Sequence, residues 1–267
     1  MKKSILIACL AFFCQCSFAQ WQAELILGIS GYSGDLSERY FAAPTLGPAI
    51  TANIKYSAFN DRVIFRTGIG YGQISANDAK SEDGSHIRRN LNFKSNIFEA
   101  SFVVEANLIN PQENDHYPYL FAGVGAVKFN PYTSDSKGVK TFLQPLGTEG
   151  QGLPEYPDRK LYSLTQFCIP YGIGWNMRMN ENLDIGLELG ARILFTDYLD
   201  DVSTTYPDRD LLLAARGATA AELSNRYLNQ GRSYTGSQRG NPDSNDQYYF
   251  MGVKFLFHIG GSTSKYY

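Results

Sequence analysis

The residues whose types and spacing come closest to chemistry lie in the stretch FTDYLDDVS, where Asp197, Asp200 and Asp201 could offer oxygen ligands to a hard cation. Their spacing is not that of an EF-hand loop, and acidic residues on a loop rim are ordinarily just solvated. His86, His116 and His258 are scattered, with no metal-ligand or nucleophile–base spacing among them. The stretch QPLGTEGQGLPEYPD, Gln144 to Asp158, has glycines like a phosphate loop but lacks the GK[ST] ending, and its prolines predict an extended surface loop. Cys168 is the lone cysteine beyond the first residues, so no internal disulfide is available. These spots predict no enzyme, no metal and no cofactor.

A different set of ionisable residues is patterned. In NLDIGLELGARILFTDYLDDVS, the residues Leu183, Ile185, Leu187, Leu189, Ala191, Ile193 and Phe195 alternate with Asp184, Gly186, Glu188, Gly190, Arg192, Leu194 and Thr196. Side chains two apart on a strand share a face, so one side is wholly apolar and the other carries both signs of charge. Glu24, Lys55, Arg66, Glu99, Glu105 and Lys254 hold the same kind of position in other stretches.

The elements that must position these charges are strands. Trp21 to Ser30, Leu46 to Ser57, Val63 to Gly72, Phe98 to Leu108, Gln166 to Asn176, Leu183 to Phe195 and Tyr249 to Ile259 all alternate with period two. Tyr117 to Phe129 makes an eighth, with a facing that Gly123 and Gly125 leave open. Asn60-Asp61, Asn110 to His116 and Met179 to Glu181 are short connections rich in turn formers. Asp35 to Thr45, Asn77 to Asn92, Asn130 to Lys160 and Asp197 to Asp246 are long. Gly68, Gly70, Gly72, Gly172 and Gly174 sit inside strands, where glycine eases curvature and makes room for a large neighbour; no helix follows them, so a phosphate-binding reading is weak.

Strands of this kind in even number, with short turns on one rim and long loops on the other, predict an all-β, eight-stranded antiparallel transmembrane barrel with long extracellular loops. In hydrocarbon every backbone polar group must be satisfied internally, so a spanning sheet closes on itself with its apolar face toward lipid. Glu24, Lys55, Arg66, Glu99, Glu105, Asp184, Glu188, Arg192 and Lys254 then point inward. Their signs nearly cancel, which predicts a paired polar core and no open pore. The mean hydropathy of -0.26 excludes a multi-helix membrane protein, and 18 Tyr with 17 Phe suit strands and interfacial girdles. The net charge of -2 gives no hint of nucleic-acid binding.

Lys2 and Lys3, the apolar run Ile5 to Phe13 and the small residues Ser17 and Ala19 form a secretory leader over residues 1–19. A lipid-modified Cys16 is the alternative, and Phe13 and Gln15 fit its cleavage box poorly. The barrel is expected over 20–260, a short tail over 261–267, and both termini in the periplasm. Within the long loop 197–246, Leu211 to Arg216 are helix formers stopped by Gly217, and Thr219 with Glu222 predicts a capping box for a second short helix. These helices make either a lid over the mouth or a docking surface for another protein.

The wording of the loops carries a family resemblance. GYSGDLS, RRNLNFKSNIFEAS, PYLFAGVGAVKFNP, LQPLGTEGQGL, YSLTQFCIPYGIGW, FTDYLDDVSTTY and RGNPDSNDQYYFMGVKF together resemble the PorG-like family of Bacteroidota outer-membrane barrels over nearly the whole chain. The last strand is also similar to an outer-membrane assembly signal through Gly252, Phe255 and Phe257, with Phe250 where a polar residue is usual. The resemblance implies a component of the type IX secretion system, which in some species supports gliding. Its implied partners are outer-membrane lipid, a PorK-like lipoprotein and a PorN-like ring protein. On that reading Asn60, Asp61, Gln112, Asn114, Asn180 and Glu181 are candidate periplasmic contacts. The competing reading is a surface adhesin or ligand-binding barrel that uses its long loops.

Overall fold

The computed structural model describes residues 21–37, 45–229 and 232–259. The leader expected over 1–19 and the tail over 261–267 lie outside them. Ten strands form in chain order: β1 (Trp21–Ser33), β2 (Gly47–Ala58), β3 (Val63–Asn77), β4 (Asn92–Asn107), β5 (His116–Lys128), β6 (Tyr132–Ser134), β7 (Lys140–Phe142), β8 (Thr165–Arg178), β9 (Leu183–Leu194) and β10 (Gln247–Ile259). Eight of them pair antiparallel in the ring β1-β2-β3-β4-β5-β8-β9-β10, which closes where Trp21 faces Ile259 and Ser33 faces Gln247. The hairpin β6–β7 hangs from the end of β4 at Lys94–Tyr132. Among the described residues no helix is long and apolar enough to cross a membrane.

Alternation decides which side chains face out. Leu27, Ile54, Ile69, Phe102, Val124, Phe167, Ile173, Leu187 and Val253 are exposed on the outer wall, an apolar band that water would not tolerate as a continuous surface. Aromatic pairs edge this band. Trp21 meets Tyr56 at 5.3 Å and Trp175 stacks on His116 at 5.5 Å near the short-turn rim, while Tyr71 meets Phe98 at 5.1 Å toward the other rim. Rings with a polar handle are favoured at such boundaries between lipid and water.

Beyond the Tyr71–Phe98 level the polarity of the wall inverts. Outward positions become Gln73, Ser75, Asn77, Lys94 and Asn96, while inward positions become Ile74, Ala76, Phe93 and Ile97, all buried. The barrel therefore stands clear of the membrane there and encloses an apolar core like that of a soluble protein. That core includes Tyr32, Phe129, Leu194, Tyr248 and Phe250 from the strands and Leu199, Val202 and Leu223 from the loops.

The loops at this rim fold into a cap. It contains α1 (Gly84–Arg89), α2 (Arg209–Arg216) and α3 (Ala218–Ser224). Asp208 caps α2 by accepting from the backbone N–H of Asp210 and Leu211. The capping box expected at Thr219 and Glu222 does not form. Gly217 caps α3 two residues earlier, and the Glu222 carboxylate instead accepts from Ser136 N–H at 2.7 Å and its hydroxyl at 3.0 Å. Leu212 and Ala220 pack on Leu153, which makes these helices a lid over the long-loop mouth.

Candidate functional site

Antiparallel register stacks the inward charges in tiers. At the middle, Lys55 lies 2.6 Å from Glu24 and 2.7 Å from Glu105. Arg66 reaches Glu188 at 2.5 Å, Glu105 at 3.0 Å and Glu24 at 3.2 Å, and Lys254 reaches Glu24 at 3.2 Å. Tyr119 takes a hydrogen bond from Lys254 at 2.8 Å and donates to Glu188 at 2.5 Å. Toward the cap, Arg192 binds Glu99 at 2.8 and 3.3 Å, and Tyr248 donates to the same carboxylate at 2.7 Å. Toward the short turns, Asp184 accepts from Tyr117 and pairs with His258 at 3.0 Å.

The carboxylates of Glu24, Glu105 and Glu188 lie within 4.8 Å of one another, as metal ligands would. The nitrogens of Lys55, Arg66 and Lys254 already occupy that centre, so three negative and three positive groups cancel without an ion. Aromatic faces complete the fill: Phe121 stacks under Arg66 at 4.7 Å and Phe250 under Arg192 at 4.4 Å. Phe250, at the position usually polar in an assembly signal, thus has its ring turned inward. The glycines expected to make room do so: a Cβ at Gly174 would stand 2.0 Å from the Tyr119 ring.

Voids found in this interior among the described residues are small, about 20 Å³ beside Lys55 and Asn107 and about 10 Å³ beside Arg66 and Glu99. Each has room for about one water. Ion passage needs a continuous file of them. Folded protein in planar bilayers is therefore expected to give no steady single-channel steps; large persistent steps would contradict a filled lumen.

The cap has buried ion pairs of its own, one of them between Glu149 and Arg239, which the sequence did not single out. Glu149 accepts from Ser203 N–H at 2.9 Å, Thr204 N–H at 3.0 Å, the Thr204 hydroxyl at 2.7 Å and the Tyr198 hydroxyl at 3.1 Å. Arg239 meets it at 3.0 Å. The segment expected to be an extended surface loop is instead buried from Gly147 to Gln151, because Gly147, Gly150 and Gly152 adopt positive φ and curl it under the lid. The nearest available signal was this glycine spacing.

The three aspartates expected to be solvated at a rim are buried, and among the described residues their carboxylates do not form a group close enough to hold an ion. Asp201 turns to Tyr162, Thr148 and Arg239, Asp200 to Tyr32, and Asp197 has no hydrogen-bond partner for either oxygen among the described residues. The histidines remain apart, with His86 of α1 lying 3.9 Å from Asp78. Asn60, Gln112, Asn114, Asn180 and Glu181 are exposed on the short-turn rim, and Asp61 beside them accepts from Gln112 at 3.2 Å. Phe59, Asn60 and Asp61 all take positive φ in that turn.

A closed ring of eight strands, a lipid-facing belt and a lumen plugged by paired charges define a membrane-spanning β-barrel of the outer-membrane type. The chain belongs to the family described as Domain of unknown function (DUF6089), whose sequence model matches residues 2–216. No curated protein matches it. Solved structures similar to it include a major outer membrane protein from Thermus thermophilus, 11% identical over 91% of this chain and 100% of that one, with a TM-score of 0.46. Neisserial surface protein A is 9% identical over 90% and 97%, with a TM-score of 0.43. Ail of Yersinia pestis is 8% identical, again over 90% of this chain and 99% of its own, with a TM-score of 0.41.

Proposed function

We propose that the protein is a non-enzymatic outer-membrane anchor of the type IX secretion system, holding the periplasmic ring through its short-turn rim. The observation that carries this reading is the run of loop signatures, from GYSGDLS to RGNPDSNDQYYFMGVKF, that resembles the PorG-like family. The filled lumen agrees with it, since a barrel that passes nothing has its surfaces left to offer. All three short turns and both ends of the described barrel, Trp21 and Ile259, lie on one rim. With that rim in the periplasm, Asn60, Asp61, Gln112, Asn114, Asn180 and Glu181 form the contact face. Fold alone is a weak warrant for function, so the test is direct. Purification of tagged protein from detergent extracts is expected to recover the PorK-like lipoprotein and the PorN-like ring protein, and the double variant D61K/Q112K to lose them.

The adhesin reading has its own observation: Leu211, Leu213 and Leu228 are exposed on the ordered cap. Recovery of no ring protein, together with loss of surface binding on deletion of 209–227, would favour it over the anchor.

A further inference from the structure

The longest loop, 195–246, has both its feet clasped against β1. Asp246 N–H donates to Thr196 O at 3.1 Å, where the two feet meet. Tyr32 ends the inward row of β1 above the membrane belt. Its hydroxyl lies 2.5 Å from Asp200 Oδ2 on the outgoing foot and 3.1 Å from Asp246 Oδ1 on the returning one. All three residues are at most 1% exposed. A phenol has one proton to donate, so it satisfies one of these carboxylates and leaves the other facing it. Their remaining oxygens are taken, Asp200 Oδ1 by Val202 N–H and Asp246 Oδ2 by Leu199 N–H, each at 2.8 Å.

The surroundings add negative charge. Asp197 faces the pair from the same foot, and Asp35, bonded to Asn241 N–H at 2.9 Å, faces it from the turn after β1. Arg89 is paired with Asp78 at 2.7 Å and acts on Asp200 only from a distance, and Arg239 is engaged with Glu149 and Asp201. Gly34 closes the site from the β1 side: a Cβ there would stand 1.9 Å from Asp246 Oδ1 and 2.3 Å from the Tyr32 hydroxyl. Two buried carboxyls that face each other across a single donor, with no cation ion-paired to either among the described residues, are accommodated by sharing a proton.

We propose that Tyr32, Asp200 and Asp246 form a proton latch at the long-loop mouth, which holds the cap down while the two carboxyls share one proton and releases it when that proton is lost. Burial and the neighbouring acids hold both carboxyls well above the usual carboxylate range. A raised carboxyl contributes stability that is fully present below its unfolded value and is lost as pH rises through its folded one. Asp197, pushed up to about 8 by burial, acts in the same direction and is the competing source of any such effect. Release frees both feet of the loop and uncovers Leu36, Leu199, Val202 and Leu223, which the clasp now buries.

Hydrogen exchange of the full chain in lipid vesicles, corrected for intrinsic rates, tests this between about pH 5 and about pH 10. Peptides covering 199–202 and 232–246 are expected to lose protection on the alkaline side, the opening constant rising about tenfold per pH unit for the one proton released. Peptides from β5 stay protected throughout. In D200N the amide oxygen keeps the Val202 bond, the amide nitrogen donates to the Tyr32 oxygen, and Tyr32 donates to Asp246. The pH slope is then expected to flatten with the cap still protected at the alkaline end. D246N makes the mirror-image arrangement and serves if D200N fails to fold. D197N is expected to remove only the share of the slope due to its own proton and to keep the part that D200N removes. Protection that does not change with pH, an unchanged slope in both D200N and D246N, or a slope abolished by D197N would each overturn the latch.

Discussion

Arg66→Ala is expected to lower the unfolding free energy of the barrel by about 3–5 kcal/mol, read from urea titrations in lipid vesicles. Arg66 touches Glu188, Glu105 and Glu24 within 3.2 Å, and its side chain is 5% exposed. Removing it leaves three carboxylates against two ammonium groups, in a lumen with room for about one water beside them. A buried charge stripped of its partner keeps its desolvation cost and loses its compensation. The double change R66M/E188Q takes out one charge of each sign and is expected to be milder, because Glu24 and Glu105 still face Lys55 and Lys254. A double variant no more stable than Arg66→Ala would show that the loss comes from packing over Phe121 and not from charge. The distinction matters for function. A pair network of this kind contributes to fixing which residues face one another more than to net stability, since desolvation offsets much of its attraction.

The second large effect concerns the outer wall. Ile69→Arg is expected to cost about 2–4 kcal/mol, because a guanidinium in mid-belt must leave hydrocarbon or drag water into it. Ile69 is among the most exposed apolar residues of the barrel, at 67%. Ser75→Arg, on the same strand and the same outward row, lies past the Tyr71–Phe98 level and is expected to cost no more than about 1 kcal/mol. Equal losses at 69 and 75 in vesicle unfolding titrations would mean that the belt does not end where the polarity of the wall inverts. Repeating both in detergent micelles, which adapt their thickness, is expected to narrow the gap.

Together these two changes test the same division of labour from inside and outside. The wall satisfies the backbone and the lipid, the lumen satisfies the charges, and the part above the membrane is packed as a water-soluble protein would be.

How much of this was legible beforehand follows from where the environment is uniform. Across the membrane, lipid on one side and a polar lumen on the other force a strict two-residue alternation, so the facing of Glu24, Lys55, Arg66, Glu188 and Lys254 could be read from parity alone. The same parity failed to reveal the outer ends of β3 and β4. Past Gly72 and before Phe98 the apolar residues Ile74, Ala76, Phe93 and Ile97 move to the inside, and the alternating signal changes sense. Short range also sufficed for the end of α2, where Gly217 stops the helix formers Leu211 to Arg216, while its start at Arg209 behind the Asp208 cap went unread. It misled for α3, where Glu222 found Ser136, a partner 86 residues away.

The charge partners themselves came only with the tertiary structure. Arg66 and Glu188 are 122 residues apart and Tyr32 and Asp246 are 214 apart; nothing local ties them. Parity states on which side of a strand a group stands, while closure and strand tilt decide at what height it meets another. The cap shows the same limit more sharply. Glu149, Asp197 and Asp200 look like solvated loop acids because a sequence lists neighbours along the chain, whereas burial is set by what returns to cover them. The sequence by itself therefore determined a closed wall with its charges turned inward; only the folded chain decided which charges meet and which acids are sealed from water.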